Sequence, residues 1–540
     1  MDEFLTWLLP LFLLTGFVIP QTNIPPRVRS VTLQLLAGEL GVMTLTLMLS
    51  GSLMWEGITL FALDSFHALK FDLFLTWWTL PTLWLVLWWM IQDEDRVFAW
   101  PLWFLLIALL SDNLWLWWGC CAAVMVLRSR FTKTTSREIA RHACAGLSLL
   151  LALFVCGMLS FDFDVSRFSE LRQLSAEWES FPESRQSELV LAVMFSGLGI
   201  ALWSGVFPVS VLRIERESPV SHDLPLTLLA VLLAVRLQPL LDVIPVLAVL
   251  QPLFVMTIVI SLINSLVMLD VRNVLRAQLT ALLMSGFAGI LCPVNESSAI
   301  LSLEHLLLTI LLWSLMEKNY SENRRASVLL AGLSGWLLLG FTGWSEVLVR
   351  IASPLFGEIG GQGVVVLMAA VISYQSGCFW LAKQQSTSQP LSLQQFMISG
   401  SIALMIVFSL RLGLWFLELP IFVTPSLAAL AGVALGLASI WGLQYQKKKA
   451  SRSASHHREA IYQLGSSQLH TLPIWELAVQ LPSVMVAVIS TVKEAWKRRP
   501  LRNLREGAVA NERHQELFWE FLLAAISLFV LASLFLWTKG

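Results

Sequence analysis

The stretch from Glu188 to Leu212 is ELVLAVMFSGLGIALWSGVFPVSVL, and it gives the strongest indication of the fold class. After Glu188 it contains no charged side chain, and it exceeds the roughly 18 apolar residues that predict a membrane-spanning helix. Trp203 and Pro208 stand near its end. We therefore predict a transmembrane helix over 188–212, which has an unusual pair of residues in its second half.

The rest of the chain has the same character. Of its 540 residues 56% are hydrophobic and only 14% are charged, whereas about a quarter of the residues in a soluble domain are charged. The mean hydropathy is +0.71. This length and composition accommodate about 14 to 16 spans joined by short loops. The composition predicts an all-α polytopic membrane protein and excludes an ordinary soluble domain.

Apolar segments between charged loops predict the positions of the helices. They are 3–19, 30–50, 72–92, 97–111, 113–128, 143–160, 188–212, 223–238, 244–268, 277–292, 299–316, 327–350, 360–382, 395–417 and 422–444. The segment 446–470 is basic and rich in serine and histidine, which is typical of a solvated connector. Residues 474–496 are apolar but interrupted by polar side chains, which predicts a lateral amphipathic helix. A last span is predicted over 516–537.

Lysine and arginine are concentrated in alternate loops, and this bias predicts orientation. The basic loops are near 128–141, 213–216, 272–276, 318–325 and 447–452. They are predicted to be cytoplasmic, and the carboxylate-rich loop 161–188 is predicted to face outward. The acidic N-terminus with its apolar run to Pro20 is interpreted as a retained first span, because a signal peptide begins with a basic region. We expect a multi-pass protein of the inner (cytoplasmic) membrane.

The sequence offers no pattern for cofactor or metal chemistry. The 6 cysteines lie mostly in apolar runs and form no CxxC pair. The 8 histidines do not cluster with carboxylates at metal spacing. Phosphate-binding glycine loops and Rossmann glycine patterns are missing. We therefore expect no cofactor, no metal, no nucleic-acid partner and no catalytic residue in this chain.

Motifs in the first half resemble those of one membrane protein family. SDNL at 111–114 resembles the family's DNLLLLFLGWE, and with a one-residue gap Cys121 falls on its glutamate. LWSGVFP at 202–208 resembles GKSAQLP, a broken helix whose lysine position is Trp203. Pro208 keeps the break, since proline removes a backbone donor. PVS at 219–221 resembles TPVSALIH, and the family's histidine falls at Pro225.

Motifs in the second half resemble the same family. DVRNVL at 270–275 resembles DIKRVLAYS. The segment from His305 to Trp313 resembles HLVTHAFFK, with the second histidine at Thr309 and the lysine at Trp313. GFTGWSE, which ends at Glu346, resembles GFFSKDEIL, with the lysine at Trp344. The family is the antiporter-like membrane subunits of respiratory complex I, Mrp antiporters and DAB-type inorganic-carbon transporters.

This resemblance implies two inverted five-helix repeats, each with one broken helix, a plan that transporters share. It also implies a C-terminal lateral helix and a final span. The implied regions are N-terminal transmembrane helices at 1–95, a first repeat at 96–243, a second repeat at 244–385, C-terminal bundle helices at 386–445, a basic connector with the lateral helix at 446–515, and the last span at 516–540.

The family's proton path needs groups that change charge, and this chain replaces them. The degenerate positions are Cys121, Trp203, Pro225, Thr309, Trp313 and Trp344. A tryptophan cannot ionise and is bulky enough to fill a hydrated path, so we interpret the pattern as a plugged, dry axis. The alternative is that tryptophan is simply abundant, at 24 residues, and the alignment frame is off by a turn.

Some polar residues remain in or near the spans. They are Arg236, Asp242, Asp270, Arg272, Glu304, His305, Glu317 and Glu346. Most are expected at helix ends, where long side chains reach the interface at low cost. His305 is the best candidate for a surviving functional group, and a hydrogen-bonded structural histidine is the alternative interpretation. A residual polar path would run through Glu304, His305, Glu317 and Glu346.

The resemblance implies a structural or coupling subunit of a multi-subunit, ion-coupled complex, not an enzyme by itself. That complex would be complex I-like, hydrogenase-like or a DAB-type inorganic-carbon transporter. The implied partners are other membrane subunits, including an active antiporter-like one, together with lipid and a cytoplasmic catalytic subunit. One rival is an active proton or cation transporter that uses the residual polar path. The other is an unrelated membrane protein whose aromatic interior binds an apolar substrate.

Overall fold

The computed structural model describes most of the predicted spans. The described residues are 2–21, 24–50, 54–55, 59–62, 70–72, 75–76, 78–92, 99–131, 136–159, 167–205, 224–244, 251–267, 271–291, 296–320, 344–381, 393–416, 418 and 427–451. Pro208, most of the predicted helix 327–350, the lateral helix 474–496 and the last span 516–537 lie outside them. The chain divides into two compact units, Met1–Ala450 and Ser451–Gly540.

The described part is nearly all helical. In its first half the helices are α1 Asp2–Val18, α2 Pro26–Ser50, α3 Thr79–Gln92, α4 Ala99–Leu110, α5 Leu114–Phe131, α6 Ser136–Leu159, α7 Phe168–Ala176, α8 Glu183–Ser204 and α9 Leu224–Val243. In the second half they are α10 Gln251–Val267, α11 Val271–Leu291, α12 Glu296–Tyr320, α13 Trp344–Leu381, α14 Leu393–Phe416 and α15 Leu427–Ser451.

Five described helices contain segments long and apolar enough to cross a membrane. These segments are Pro26–Leu47, Gln186–Ser204, Val274–Leu291, Ser345–Gln375 and Ile398–Trp415. Each of them overlaps a predicted span. The helical character that the sequence predicts is thereby confirmed, and the predicted ends shift by several residues. The clearest shift is at α15, which continues to Ser451 through the start of the predicted connector.

A small strand region precedes α3, and the sequence did not indicate it. Strand β1 (Met54–Trp55) pairs antiparallel with β4 (Leu75–Thr76), and β2 (Thr59–Ala62) pairs with β3 (Lys70–Asp72). The prediction of a helix from residue 72 is wrong at its start, because Asp72, Leu75 and Thr76 are used in strand pairing. The Thr79 N–H donates to the Thr76 hydroxyl at 3.2 Å, which helps to fix the start of α3.

Helix α13 reverses direction at Gly357. This residue is non-helical, with φ 72° and ψ 170°. A Cβ on Gly361 would meet the carbonyl oxygen of Val349 and the side chain of Ser353. On one straight helix the positions 349 and 361 would be about 18 Å apart. The two segments, 344–356 (α13a) and 358–381 (α13b), therefore form a tight hairpin. This break agrees with the two separate helices predicted around it.

Neighbouring helices approach closely where one of them carries a glycine. A Cβ on Gly199 of α8 would meet Leu149 of α6, and a Cβ on Gly286 of α11 would meet Leu306 of α12. Small residues at helix crossings let backbones come together, which is how helices associate in a membrane. Helices α5, α8 and α9 come together in one region, and α11, α12 and α13 in another. The two regions contain the predicted site positions.

Candidate functional site

The first broken-helix position is the end of α8. Trp203 lies in its last turn, and Gly205 ends the helix in the left-handed conformation with φ 80° and ψ 45°. The Gly205 N–H donates to the Ala201 carbonyl at 3.1 Å. Glycine is the residue that most readily adopts this conformation at a helix C-terminus. The predicted helix to residue 212 is therefore wrong at its end, because α8 stops at Ser204.

The Trp203 side chain is packed against other aromatic rings. It is 1% exposed, and its ring centroid is 6.4 Å from that of Trp117 on α5. Trp117 in turn meets Phe168 of α7 edge-on, with a centroid distance of 5.8 Å. Within the described residues the Trp203 indole N–H has no hydrogen-bond partner. The position that the LWSGVFP motif aligns with the family's lysine thus holds a ring that contributes packing and no ion-binding group.

Arg236 ends this aromatic row. Its guanidinium carbon lies 4.5 Å from the Phe168 ring centroid, which is a cation–π distance. Nη1 donates to the Ser111 carbonyl at 2.6 Å, and Nη2 donates to the Leu109 carbonyl at 2.7 Å. These carbonyls stand at the C-terminal end of α4, where helical oxygens lack intrahelical donors. Most of the remaining polar residues are expected at helix ends, but Arg236 lies inside α9 and caps α4 from the side.

The two other first-half positions are also buried. Cys121 on α5 is fully buried. Pro225 is buried at the second residue of α9, where a missing N–H costs nothing because the first helical turn has no acceptor for it. Proline cannot ionise. Pro225 starts a helix here, at the position that the PVS motif aligns with the family's histidine.

A cavity of about 30 Å³ lies beside the aromatic row. Trp117, Phe168 and Ser196 line it together with leucine and alanine side chains. The Ser196 hydroxyl already donates to the Ala192 carbonyl at 2.9 Å. Water needs two to four polar partners to occupy a cavity. The lining of this cavity offers few of them, so its chemistry is that of an apolar void.

The second-half positions follow one face of α12. His305, Thr309 and Trp313 are four residues apart and fully buried, and this spacing puts them on one face of the helix. His305 Nε2 donates to the Leu282 carbonyl of α11 at 3.0 Å, since a carbonyl can only accept. Thr309 Oγ1 donates back to the His305 carbonyl at 2.7 Å. These bonds are those of a structural histidine.

Glu304 forms a buried ion pair that the sequence did not indicate. Its Oε2 is 2.8 Å from Nε of Arg411 on α14, and its Oε1 accepts from Nη2 of Arg411 at 3.0 Å. Glu304 is 1% exposed and lies inside α12, so it is not one of the residues of that polar set that lie at helix ends. The sequence feature that could have indicated this ion pair is Arg411, an arginine inside the predicted span 395–417. Its pairing with Glu304 depends on tertiary packing.

The residual polar path is not brought together in the described residues. The Glu304 side chain contacts α14 and the His305 side chain contacts α11, because successive helical residues point in different directions. Glu346 is exposed in the first turn of α13. Glu317 lies in α12 and Trp344 begins α13, but their side chains are outside what the structure describes.

No protein-family model matches the chain, and no curated protein matches it in sequence. Solved structures do match its fold. One is the Mrp complex from Dietzia sp. DQ12-45-1b, with a TM-score of 0.62 and 13% identity over 96% of this chain and 63% of that chain. Another is respiratory complex I from Thermus thermophilus with bound NADH, with a TM-score of 0.60 and 14% identity over 82% of this chain and 99% of that chain.

This chain has the fold of an antiporter-like membrane subunit. It is a multi-pass membrane protein. It spans about 63% of the matched chain of the Mrp complex. The likeness predicted from short motifs is confirmed at the level of the fold.

Proposed function

We propose that this chain is an accessory, antiporter-like membrane subunit that does not conduct protons along the lysine route of its structural relatives. The observation that carries the proposal is the burial of Trp203 and Trp313, which are 1% and 0% exposed. A buried lysine is useful in a proton path because desolvation brings its pKa toward neutral pH. An indole ring has no such equilibrium, and here it fills the space that water would need.

The neighbours of each tryptophan support the same interpretation. The Trp203 ring packs against the Trp117 ring, which packs against the Phe168 ring. The cavity beside these rings is apolar. Trp313 is fully buried on the same face of α12 as the buried Thr309. A proton route needs connected groups or water, and intramembrane ionisable groups normally mark it. These surroundings are those of a packed interior.

The wider assignment rests on the fold. We infer two inverted repeats, at 96–243 and 244–385, and a place beside an active antiporter-like subunit in the inner membrane. The matched structures are a Mrp complex and respiratory complex I, both assemblies of several subunits. A complex I-like, hydrogenase-like or DAB-type inorganic-carbon complex would each use such a subunit. In that role the chain would be structural or coupling, and not an enzyme alone.

The first test is a mild-detergent pull-down of the tagged chain with mass spectrometry. The proposal expects a second antiporter-like subunit whose lysines are intact at the positions equivalent to Trp203 and Trp313. A chain that is recovered alone, as a monomer or homodimer, would contradict the accessory role. The composition of the recovered complex would also identify the assembly.

The rival of a rewired proton path has a separate test. The purified chain would be reconstituted in proteoliposomes and proton flux followed with a trapped pH-sensitive dye. The rival expects flux in the wild type that His305→Gln abolishes and the control Ser439→Ala, on an exposed part of α15, leaves intact. Our proposal expects all three preparations to match empty liposomes.

A further inference from the structure

Helix α2 has an outer face unlike that of its neighbour α1. The α2 outer face consists of Val31, Gln34, Leu35, Gly38, Val42 and Leu45, all of them exposed. They recur every three or four residues, which places them on one side of the helix. All six lie inside the apolar segment Pro26–Leu47. This face is therefore at membrane depth and is not covered by the described part of the chain.

Gln34 is the first sign that the α2 outer face packs against protein and not against lipid. Its amide is exposed and makes no hydrogen bond within the described residues. Polar side chains in membrane spans usually point into a bundle, and amides hydrogen-bond across helix pairs. By contrast, the exposed residues of the α1 outer face are Trp7, Leu11, Leu14 and Phe17. That face contains only groups that hydrocarbon solvates well.

Gly38 and Gly41 are the second sign. A Cβ added to either glycine meets nothing within 4 Å, so neither is required by packing against the described residues. Gly199 of α8 behaves differently, because a Cβ there would collide with Leu149. Small residues at a helix surface let a second backbone approach closely, and on α2 that space is open.

Glu39 is the third sign, and its carboxylate indicates which kind of side chain the neighbouring helix carries. It lies beside Gly38 near the middle of the span, and its Oε1 accepts a hydrogen bond from Thr15 of α1 at 3.0 Å. Its Oε2 is covered and has no hydrogen-bond partner within the described residues. The terminal torsion of a glutamate is soft, so a small rotation would present Oε2 to a neighbouring helix. A basic donor on that helix would satisfy it.

We propose that the α2 outer face binds a transmembrane helix of another membrane subunit that carries a lysine, arginine or histidine opposite Glu39. This rests on the proposed function, because it requires that the chain works within a multi-subunit complex. A second copy of this chain fits less well. A symmetric contact would pair the α2 outer face with itself, and that face carries no lysine, arginine or histidine to meet Glu39.

The test uses a photocrosslinking amino acid in the full-length tagged chain, expressed in its own cells. One variant carries it at Gln34 and the matched control carries it at Leu14, on the α1 outer face. We expect Gln34 to crosslink to the membrane subunit that copurifies with the wild type. The attached peptide is expected to come from a membrane span with a basic residue within about one helical turn of the attachment point. The Leu14 position is expected to give no such adduct.

A second pair of variants tests whether the partner helix occupies the open space beside Gly38. Gly38→Trp is expected to reduce recovery of the partner about tenfold or more, whereas Leu14→Trp leaves recovery unchanged. Both variants should elute from size exclusion like the wild type. Equal crosslinking at the two positions, an adduct with a second copy, or full partner recovery with Gly38→Trp overturns the α2 surface and leaves the proposed function standing. If the wild-type chain recovers no membrane subunit, both proposals fail together.

Discussion

Glu304 and Arg411 are each other's counter-charge inside the membrane-spanning region. Removing one partner leaves a buried, uncompensated charge, which costs about 3–5 kcal/mol, whereas an apolar pair of similar volume is often neutral. Arg411→Met alone is therefore expected to destabilise the protein strongly. The double variant Glu304→Leu/Arg411→Met is expected to recover most of the loss. Thermal unfolding in detergent of the wild type, Glu304→Leu, Arg411→Met and the double variant measures the coupling, and additive losses would contradict a direct pair.

Trp203 and Trp89 are buried tryptophans that differ in one hydrogen bond. Trp89 Nε1 donates to Ser314 at 2.9 Å, and Trp203 Nε1 has no partner in the described residues. Phenylalanine removes the N–H from either position. At Trp89 the substitution removes a hydrogen bond, whereas at Trp203 it removes a buried donor that has no partner. Trp203→Phe is therefore expected to lower the free energy of unfolding less than Trp89→Phe does, by about 1–2 kcal/mol. Unfolding free energies measured in the same detergent compare the two, and a larger loss for Trp203→Phe would count against the assignment.

Helix α13 depends on its turn and on a glycine just beyond it. A Cβ on Gly361 of α13b would meet backbone atoms of α13a, whereas one on Gly363 meets nothing within 4 Å. Gly361→Ala is therefore expected to push the two segments apart and lower stability by about 1–3 kcal/mol. Gly363→Ala, two residues away, is the matched control and is expected to be neutral. Melting temperatures of the purified variants decide between them, and equal values would mean that the hairpin does not pack as described.

The helices and strands differ in how far local sequence pattern predicts them. Helices α4 and α5 were predicted at nearly their observed bounds because apolar length and charged ends are local signals. The strand pairs before α3 and the helix α7 were missed, since each depends on partners elsewhere in the chain. The burial of Trp203 and Trp313 is expected from the resemblance, which aligns both positions with buried lysines. The capping role of Arg236 and the pairing of Glu304 were not, because only tertiary packing brings their partners to them.

The chain as a whole keeps a recognisable fold at 13% identity to a matched structure. A bilayer restricts spanning backbone to helices and closed barrels, whose hydrogen bonds are internal, so proteins with very different side chains can share one helical span pattern. The aromatic row of Trp203, Trp117 and Phe168 and the bonded His305 act as packing inside this fold. If the proposed function is right, the lack of a proton route is spread over many contacts and does not reside in one substitution.

We therefore expect that restoring lysine at two positions does not restore conduction. In the variant Trp203→Lys/Trp313→Lys, Trp117, Phe168 and Arg236 still occupy the first region, and His305 is still bonded to the α11 backbone. Neither new lysine gains a carboxylate or a water column, and intramembrane ion paths need such connected groups. In proteoliposomes with a trapped pH-sensitive dye and a potassium potential, proton flux of the folded variant should equal that of the wild type and of empty liposomes. Flux above that background would mean that the two tryptophans alone close a path that is otherwise intact.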